Sequence, residues 1–359
     1  MAITGNKGEW SEIYTFFKLL GEQKVYSGDE DLNRIEDLFY PILKILRSEK
    51  KADYEYTING DIVIVSEDGS EKLRKPITDF LTKSQELLEK IKEAGGTFSA
   101  PEIESFMSSI HCHTLKAKSR DKTDIRIVIH DLRTGMCPQL GFSIKSQLGG
   151  DSTLLNASNA TNFTYKISTE LSDKEIERIN KISTKSKIQD RIKEIVKAGG
   201  ELSFKEVSNC IFNNNLILVD SFLPNILGEI VLDYFSTERK NVKEITENIS
   251  KKNPLNYDIC YNHKFYEHKI KCFLTDVALG MMPASVWSGK YEANGGYLVV
   301  KEDGDVLCYH FYNRNMFEDY LYNNTRLETA SSSRNNFGKI EKQENGTLLF
   351  KLNLQIRFK

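Results

Sequence analysis

An α/β fold is what the sequence predicts: a mixed sheet flanked by helices over residues 1–170, followed by an α+β half over residues 171–359. Three observations predict it. Apolar residues recur at helical spacing near the start, middle segments alternate with period two around glycine-containing turns, and the end of the chain is richer in strands. A length of 359 residues suffices for a large core and two structural units. The 40% hydrophobic and 28% charged content is ordinary for a soluble globular protein.

The first helix starts near Gly8, where Trp10, Ile13, Tyr14, Phe17 and Leu20 share one face. Glu9 projects into that apolar sector, either as a first-turn charge favoured by the helix dipole or as an inward-facing functional acid. A second helix is expected over 31–47, then a hairpin of 54–58 and 61–65 turned at Asn59-Gly60. An internal echo follows. Ala94-Gly95-Gly96-Thr97-Phe98-Ser99 resembles Ala198-Gly199-Gly200-Glu201-Leu202-Ser203, and each continues as a capping box, Ser99 with Glu102 and Ser203 with Glu206. Both read as a helix ended by Gly-Gly with a serine-capped helix after it, a helical hairpin rather than a DNA-binding helix-turn-helix.

Residues 171–187, charged and without strand pattern, read as a solvated helix at the boundary between halves. Helices near 190–197 and 225–234, strands at 296–300 and 306–312 about Asp303-Gly304, and a final strand over 348–358 complete the chain.

No apolar run reaches the length of a membrane span, and Met1-Ala2-Ile3-Thr4-Gly5-Asn6 is unlike a signal peptide, so a cytoplasmic location is expected. Six scattered cysteines without a CxxC pair read as free thiols. A formal charge of −2 requires a nucleic-acid enzyme to concentrate its positive potential locally. Lys116, Lys118, Arg120, Lys122 and Arg126 form one such cluster.

That cluster borders the chemistry. Asp124 opens the alternating strand Ile125-Arg126-Ile127-Val128-Ile129-His130, a turn falls at Thr134-Gly135, and Gly141-Phe142-Ser143-Ile144-Lys145 returns. Residues two apart share a face, so Ser143 and Lys145 point together, with Asp124 at the mouth of the hairpin. A carboxylate, an oxygen donor and a lysine on one sheet edge suit a divalent cation and a phosphate, which is nuclease chemistry. Asp131, at the far end of the first strand, competes with Asp124 as the metal ligand; the choice falls on Asp124. Two other constellations read as structural. His111-Cys112-His113 lacks further ligands at zinc spacing, and Asn294-Gly295-Gly296 is a turn with no following helix to bind phosphate.

Asp124 with Ser143-Ile144-Lys145 resembles the PD-(D/E)XK nuclease motif, with serine where an acid is usual. The wider chain resembles the HpaII-type restriction endonucleases in ordered blocks: Lys7-Gly8-Glu9-Trp10-Ser11-Glu12, Gly141-Phe142-Ser143-Ile144-Lys145-Ser146, Thr153-Leu154-Leu155-Asn156-Ala157-Ser158, Thr161-Asn162-Phe163, Ala278-Leu279-Gly280-Met281, Asn294-Gly295-Gly296-Tyr297 and Leu354-Gln355-Ile356-Arg357-Phe358. The resemblance implies a type II enzyme that cuts both strands of duplex DNA at CCGG with Mg²⁺, leaving 5′-phosphate and 3′-hydroxyl ends. It also implies a partner methyltransferase that protects the host genome. Asp124 and Ser143 would then hold the metal, Lys145 would stabilise charge, and Glu9 is the first choice for the carboxylate that Ser143 does not supply.

Polar side chains crowd the segment after Lys145, and Asn156, Ser158, Thr161 and Asn162 are candidates for reading DNA. In the last strand Leu352, Leu354, Ile356 and Phe358 alternate with Asn353, Gln355 and Arg357. A G·C-only target makes Arg357, Arg314 and Arg334 natural guanine readers, with Gln355 beside them. A palindrome suggests a homodimer, although a monomer nicking each strand in turn is allowed. Two rivals remain: a non-catalytic DNA-binding protein with a degenerate nuclease fold, and a nuclease with little sequence preference.

Overall fold

The computed structural model describes residues 2–50, 52–116 and 123–359. The chain divides into two compact units, 1–152 with 291–320 and 153–290 with 321–359. The boundary expected at residue 170 therefore falls earlier, and the first unit takes back a segment that the sequence reading gave to the second half.

The first unit starts with β1 (Thr4–Gly5), α1 (Lys7–Glu22), β2 (Lys24–Gly28), β3 (Arg34–Ser48), β4 (Asp53–Asn59), β5 (Ile62–Glu67) and β6 (Ser70–Pro76). Helix α2 (Ile77–Glu93), β7 (Phe98–Ser99), α3 (Pro101–Ser109), β8 (Ile125–Ile129) and β9 (Gln139–Ser146) follow. After the second unit's excursion the chain returns with β13 (Gly296–Val300), β14 (Val306–His310) and α10 (Arg314–Asn323), a helix that runs on into the second unit.

Residues 31–47, expected as a helix, are instead the long strand β3. Pro41 inside the segment lacks an N–H and would break a helix, while Phe39, Tyr40, Ile42 and Ile45 suit a pleated surface. The carboxylate of Asp29 accepts the backbone N–H of Asp31 (2.9 Å) and Asn33 (2.8 Å), and this Asx-type turn joins β2 to β3.

Nine strands form one mixed sheet in the order β2-β14-β13-β9-β8-β3-β4-β5-β6. Strands β13 and β9, and β14 and β2, pair parallel; the other pairs are antiparallel. The first half of β3 also pairs with β2, so β2, β14, β13, β9, β8 and β3 close a hydrogen-bonded ring. Helix α1 packs against α2 and against β2, β3 and β9. Phe17, Phe80 and Phe106 meet edge-to-face in the core between the helices, and Phe16 meets Tyr56 of β4 in the same way.

The second unit is α+β. Strands β10 (Thr153–Leu155), β15 (Thr325–Leu327) and β18 (Ile356–Phe358) make one antiparallel sheet. A second contains β11 (Asn162–Ile167), β12 (Leu202–Val207), β16 (Ile340–Lys342) and β17 (Leu348–Asn353). The helices are α4 (Asp173–Asn180), α5 (Lys187–Lys197), α6 (Cys210–Val219), α7 (Leu223–Ser236), α8 (Val242–Lys252) and α9 (Phe265–Leu279).

Two more expectations are corrected here. The expected final strand is broken into β17 and β18, which belong to different sheets. Neither echo segment is serine-capped: α3 starts after Ala100 with Pro101 in its first turn, and Ser203 lies inside strand β12. In the second copy Leu202, Phe204 and Val207 pack on the β11 side, so tertiary pairing overrides the capping pattern. No single helix among the described residues is long and apolar enough to cross a membrane.

Candidate active site

Alternation along β8 buries Ile125, Ile127 and Ile129 and leaves Arg126 exposed. The antiparallel partner β9 sets Ile125 opposite Phe142, and the Asp124 N–H extends the ladder by donating to Phe142 O (2.9 Å). This brings the Asp124 carboxylate over β9. Its Oδ2 accepts the Ser143 hydroxyl (2.9 Å) and the Ile144 N–H (2.7 Å). The hairpin turn closes with Asp131 N donating to Met136 O (2.9 Å), and Gly135 adopts φ +70°.

Lys145 lies two residues beyond Ser143 on the same side of β9. Its Nζ sits 5.0 Å from the centre of the Tyr297 ring, which β13 delivers directly opposite Ser143. Burial, opposed by the charges of Asp124 and Glu12, holds its ammonium below the ordinary lysine range. On its other flank β13 approaches β14 closely at Gly296, whose φ is +104°; a Cβ there would lie 2.1 Å from Tyr309 O. Asn294 fastens the same corner by accepting the Gly141 N–H (2.8 Å).

The first turns of α1 supply the opposite wall. The Ser11 and Ser146 hydroxyls bond at 2.8 Å, pinning the helix to the end of β9. Glu9 and Glu12, three apart, therefore face the same space. Glu9 completes a capping box with Asn6, accepting its N–H (2.9 Å), and lies 3.4 Å from Lys116 Nζ. Glu12 has a half-buried carboxyl whose pKa is pushed up to about 8, first by burial and then by the charge of Asp124, against the pull of Lys116 and Arg47. Together Glu9, Glu12, Lys116, Asp124 and Lys145 line a cleft of about 700 Å³, bordered by 94–97 and 148–152.

Asp124, Ser143, Lys145 and Glu9 are thus brought together. Asp131 is not among them. It is buried at the opposite end of β8, where burial acts to raise its carboxyl but the Arg133 N–H and the Thr134 hydroxyl outweigh this and hold it below the usual carboxylate range. Of the expected cation cluster, Lys116 lines the cleft, Arg126 lines separate pockets, and Lys118, Arg120 and Lys122 lie outside the described residues. Glu12 and Tyr297 were missed by sequence reasoning. The signal for Glu12 was its place one turn beyond Glu9; Tyr297 gave none, because its pairing with β9 is distant in the chain.

No group of three or more His, Cys, Asp or Glu side chains at metal-binding distance exists among the described residues. Two carboxylates and a hydroxyl are nevertheless hard oxygen donors of the kind Mg²⁺ uses, since that ion keeps several waters and takes one or two protein carboxylates. The donor set fits.

The proposed DNA readers are not gathered in the same way. Thr161 and Asn162 are buried: Asn162 Nδ2 donates to Asn335 O (2.8 Å), and Asn353 Nδ2 donates to Asn162 Oδ1 (2.8 Å), Ser158 O (2.8 Å) and Thr161 Oγ1 (3.1 Å). Ser158 caps a 3-10 turn. This is internal hydrogen bonding, and a base edge cannot compete for groups already satisfied. Arg357 pairs with Glu328, and Gln355 occupies the break between β17 and β18. Arg314 pairs with Glu318 (2.6 Å) in the first unit. Asn156 and Arg334 are exposed.

A family model described as HpaII restriction endonuclease matches residues 6–358. The chain is 52% identical to the type II restriction enzyme HpaII of Haemophilus parainfluenzae, over 99% of this chain and 98% of that protein. No solved structure matches.

Proposed function

The chain belongs to the HpaII restriction endonuclease family, a site-specific deoxyribonuclease, and from that footing we propose that its first-unit cleft cuts both strands of DNA at CCGG with Mg²⁺. The observation that carries the reading is the convergence of Asp124, Glu12 and Lys145 on one cleft in a chain similar to HpaII from end to end. The β8–β9 hairpin then plays the part of a PD-(D/E)XK core in which Ser143 replaces the usual acid.

When bound, the ion polarises the scissile phosphate and activates water for in-line attack. Asp124 and Glu12 would hold it. The Ser143 hydroxyl and the Ile144 N–H fix the Asp124 carboxylate, so Ser143 acts by positioning that ligand. Lys145 stabilises the negative charge that builds on the phosphate oxygens, from a site where water is largely excluded. Glu9 steadies Lys116 at the entrance. The products carry 5′-phosphate and 3′-hydroxyl ends.

In this reading the first unit cuts and the second holds and reads the duplex. A methyltransferase of the same specificity protects the host DNA in the cytoplasm, and two copies meet on the palindrome. Digestion of a sequenced plasmid with Mg²⁺, followed by end mapping, tests it: every cut should fall within CCGG. Discrete cuts elsewhere would overturn the target, a smear would overturn the specificity, and uncut plasmid would overturn the chemistry.

A further inference from the structure

The internal bonding of Ser158, Thr161, Asn162 and Asn353 leaves the second unit in need of another surface for nucleic acid, and a wide groove in it has the right charge. One wall is α5 and the turn before it. Lys185, Gln189, Lys193 and Lys197 recur every four residues, about 6 Å of helix rise apart, and all four line the groove. Lys185, Lys193 and Lys197 are exposed, while Ile188 and Ile195 are buried away from the groove and Ile192 is buried at its base, so the lysine row is fixed in direction by the packing of its helix.

The opposite wall is the segment after α7. Leu327 N donates to Lys240 O (2.8 Å) and Asn241 bridges to Arg326, tying this segment to β15. Lys240 and Arg326 line the groove from this side, and Arg239 is steadied there by the buried Asp233 (3.3 Å). Tyr234 closes the floor, with its hydroxyl on Thr329 Oγ1 (3.0 Å).

Charge decides the occupant. The groove holds six cationic side chains against two acids, Glu238 and Glu328, and Glu328 is already engaged by Arg357 and Arg326. Among the described residues Lys185, Lys193 and Lys240 have no acidic partner within ion-pair distance. Lys197 is held by Glu194 (2.7 Å), which leaves uncompensated ammonium groups at Lys185 and Lys193 on one wall and at Lys240 on the other; such a pair of walls suits a regular polyanion, and duplex DNA presents one negative charge per about 1.7 Å of its axis. The groove measures about 1170 Å³ and is lined from Lys185 to Lys197 along α5, room for a stretch of backbone rather than for one compact anion.

We propose that the groove between α5 and the 236–240 segment is a docking surface for the sugar-phosphate backbone of duplex DNA, gripping it irrespective of sequence. The inference rests on the nuclease reading above and adds to it a second contact region in the second unit. Its contribution is affinity and salt dependence; the bases are read elsewhere.

The test uses the full chain carrying K185A, K193A and K240A together, with fluorescence anisotropy on a labelled duplex lacking CCGG, metal omitted, across a series of salt concentrations. The expected result is binding weakened about 10-fold or more and a salt slope shallower by up to about 2.7, near 0.9 per lost phosphate contact. A control with K166A, K174A and K205A removes the same charge from exposed sites of the same unit outside the groove and should change the slope far less. An unchanged slope in the groove variant, or an equal change in the control, would overturn the proposal. If RNA duplex loses more affinity than DNA, the occupant is wrong. Cleavage of CCGG plasmid by the unmutated protein is measured alongside, so a failure of the nuclease reading is seen separately.

Discussion

Two polar regions of this molecule are almost indistinguishable as sequence and opposite as structure. In the first unit, Asp124, Glu12 and Lys145 converge on a cleft, where burial and then the charge of Asp124 raise the Glu12 carboxyl. In the second, Ser158, Thr161, Asn162 and Asn353 converge on one another, and the bonds between them leave little for a ligand. Charged groups face open space in the first region, whereas amides and hydroxyls bond mainly to one another in the second, where the buried Asn353 Oδ1 alone stays unpartnered. Polarity alone does not separate the two, but hydrogen-bond accounting does.

The comparison breaks most visibly at Lys145. Removing the ammonium in Lys145→Ala should lower the rate of plasmid cleavage about 10³-fold while duplex binding in Ca²⁺ and thermal stability stay near the original values. A variant that still cuts within 10-fold would show that the lysine does not face the reacting phosphate. In the second unit the order of effects should reverse. Asn353→Ala strips a shared donor from three acceptors in a buried site, and urea unfolding should report a loss of about 2–3 kcal/mol. Retained stability there would mean that the network is dispensable and free to serve another purpose.

The smallest effect has the most informative sign. The Glu12 carboxyl has its folded pKa raised to about 8 from an ordinary 4.5, so the folded protein binds more protons than the unfolded chain between these values. Stability is present at low pH and is lost as pH rises through the folded pKa. Glu12→Gln should therefore gain about 1–2 kcal/mol at pH 9 without metal, after allowance for its partial exposure, and almost nothing at pH 4. The same variant should cut DNA more slowly. A site residue that costs stability, beside a network that supplies it, is the contrast in its sharpest form.

Much of the first unit was legible before any coordinates. Trp10, Ile13, Tyr14, Phe17 and Leu20 marked α1 because a helix on a core repeats its apolar face, and β8 and β9 were marked by alternation around a glycine turn. Asp124, Ser143 and Lys145 followed from that alternation, since β-strand geometry fixes which neighbours share a side. What failed was non-local. Nothing in 294–310 announces that β13 will lie parallel beside β9, and nothing at Asn162 announces a partner at Asn353, 191 residues away. Segment 31–47 carries acids and leucines compatible with a helix, and only Pro41 within it, with no N–H to donate, marks the strand that forms. Glu9 stands out in the sequence as a first-turn acid facing an apolar sector, whereas Glu12, one turn on, carries no such mark and is picked out only by the packing of α1 against β9.

Closure of the sheet by a late-arriving hairpin sets the order in which the enzyme can be made. A nascent chain emerges from the ribosome N-terminus first, so β9 is out long before β13 and β14, with the larger part of the second unit translated in between. Until then Lys145 lacks the aromatic ring beneath it and its strand has an open flank. A chain halted before residue 296 would hold Asp124, Ser143 and Lys145 on a hairpin whose outer edge is still unpaired.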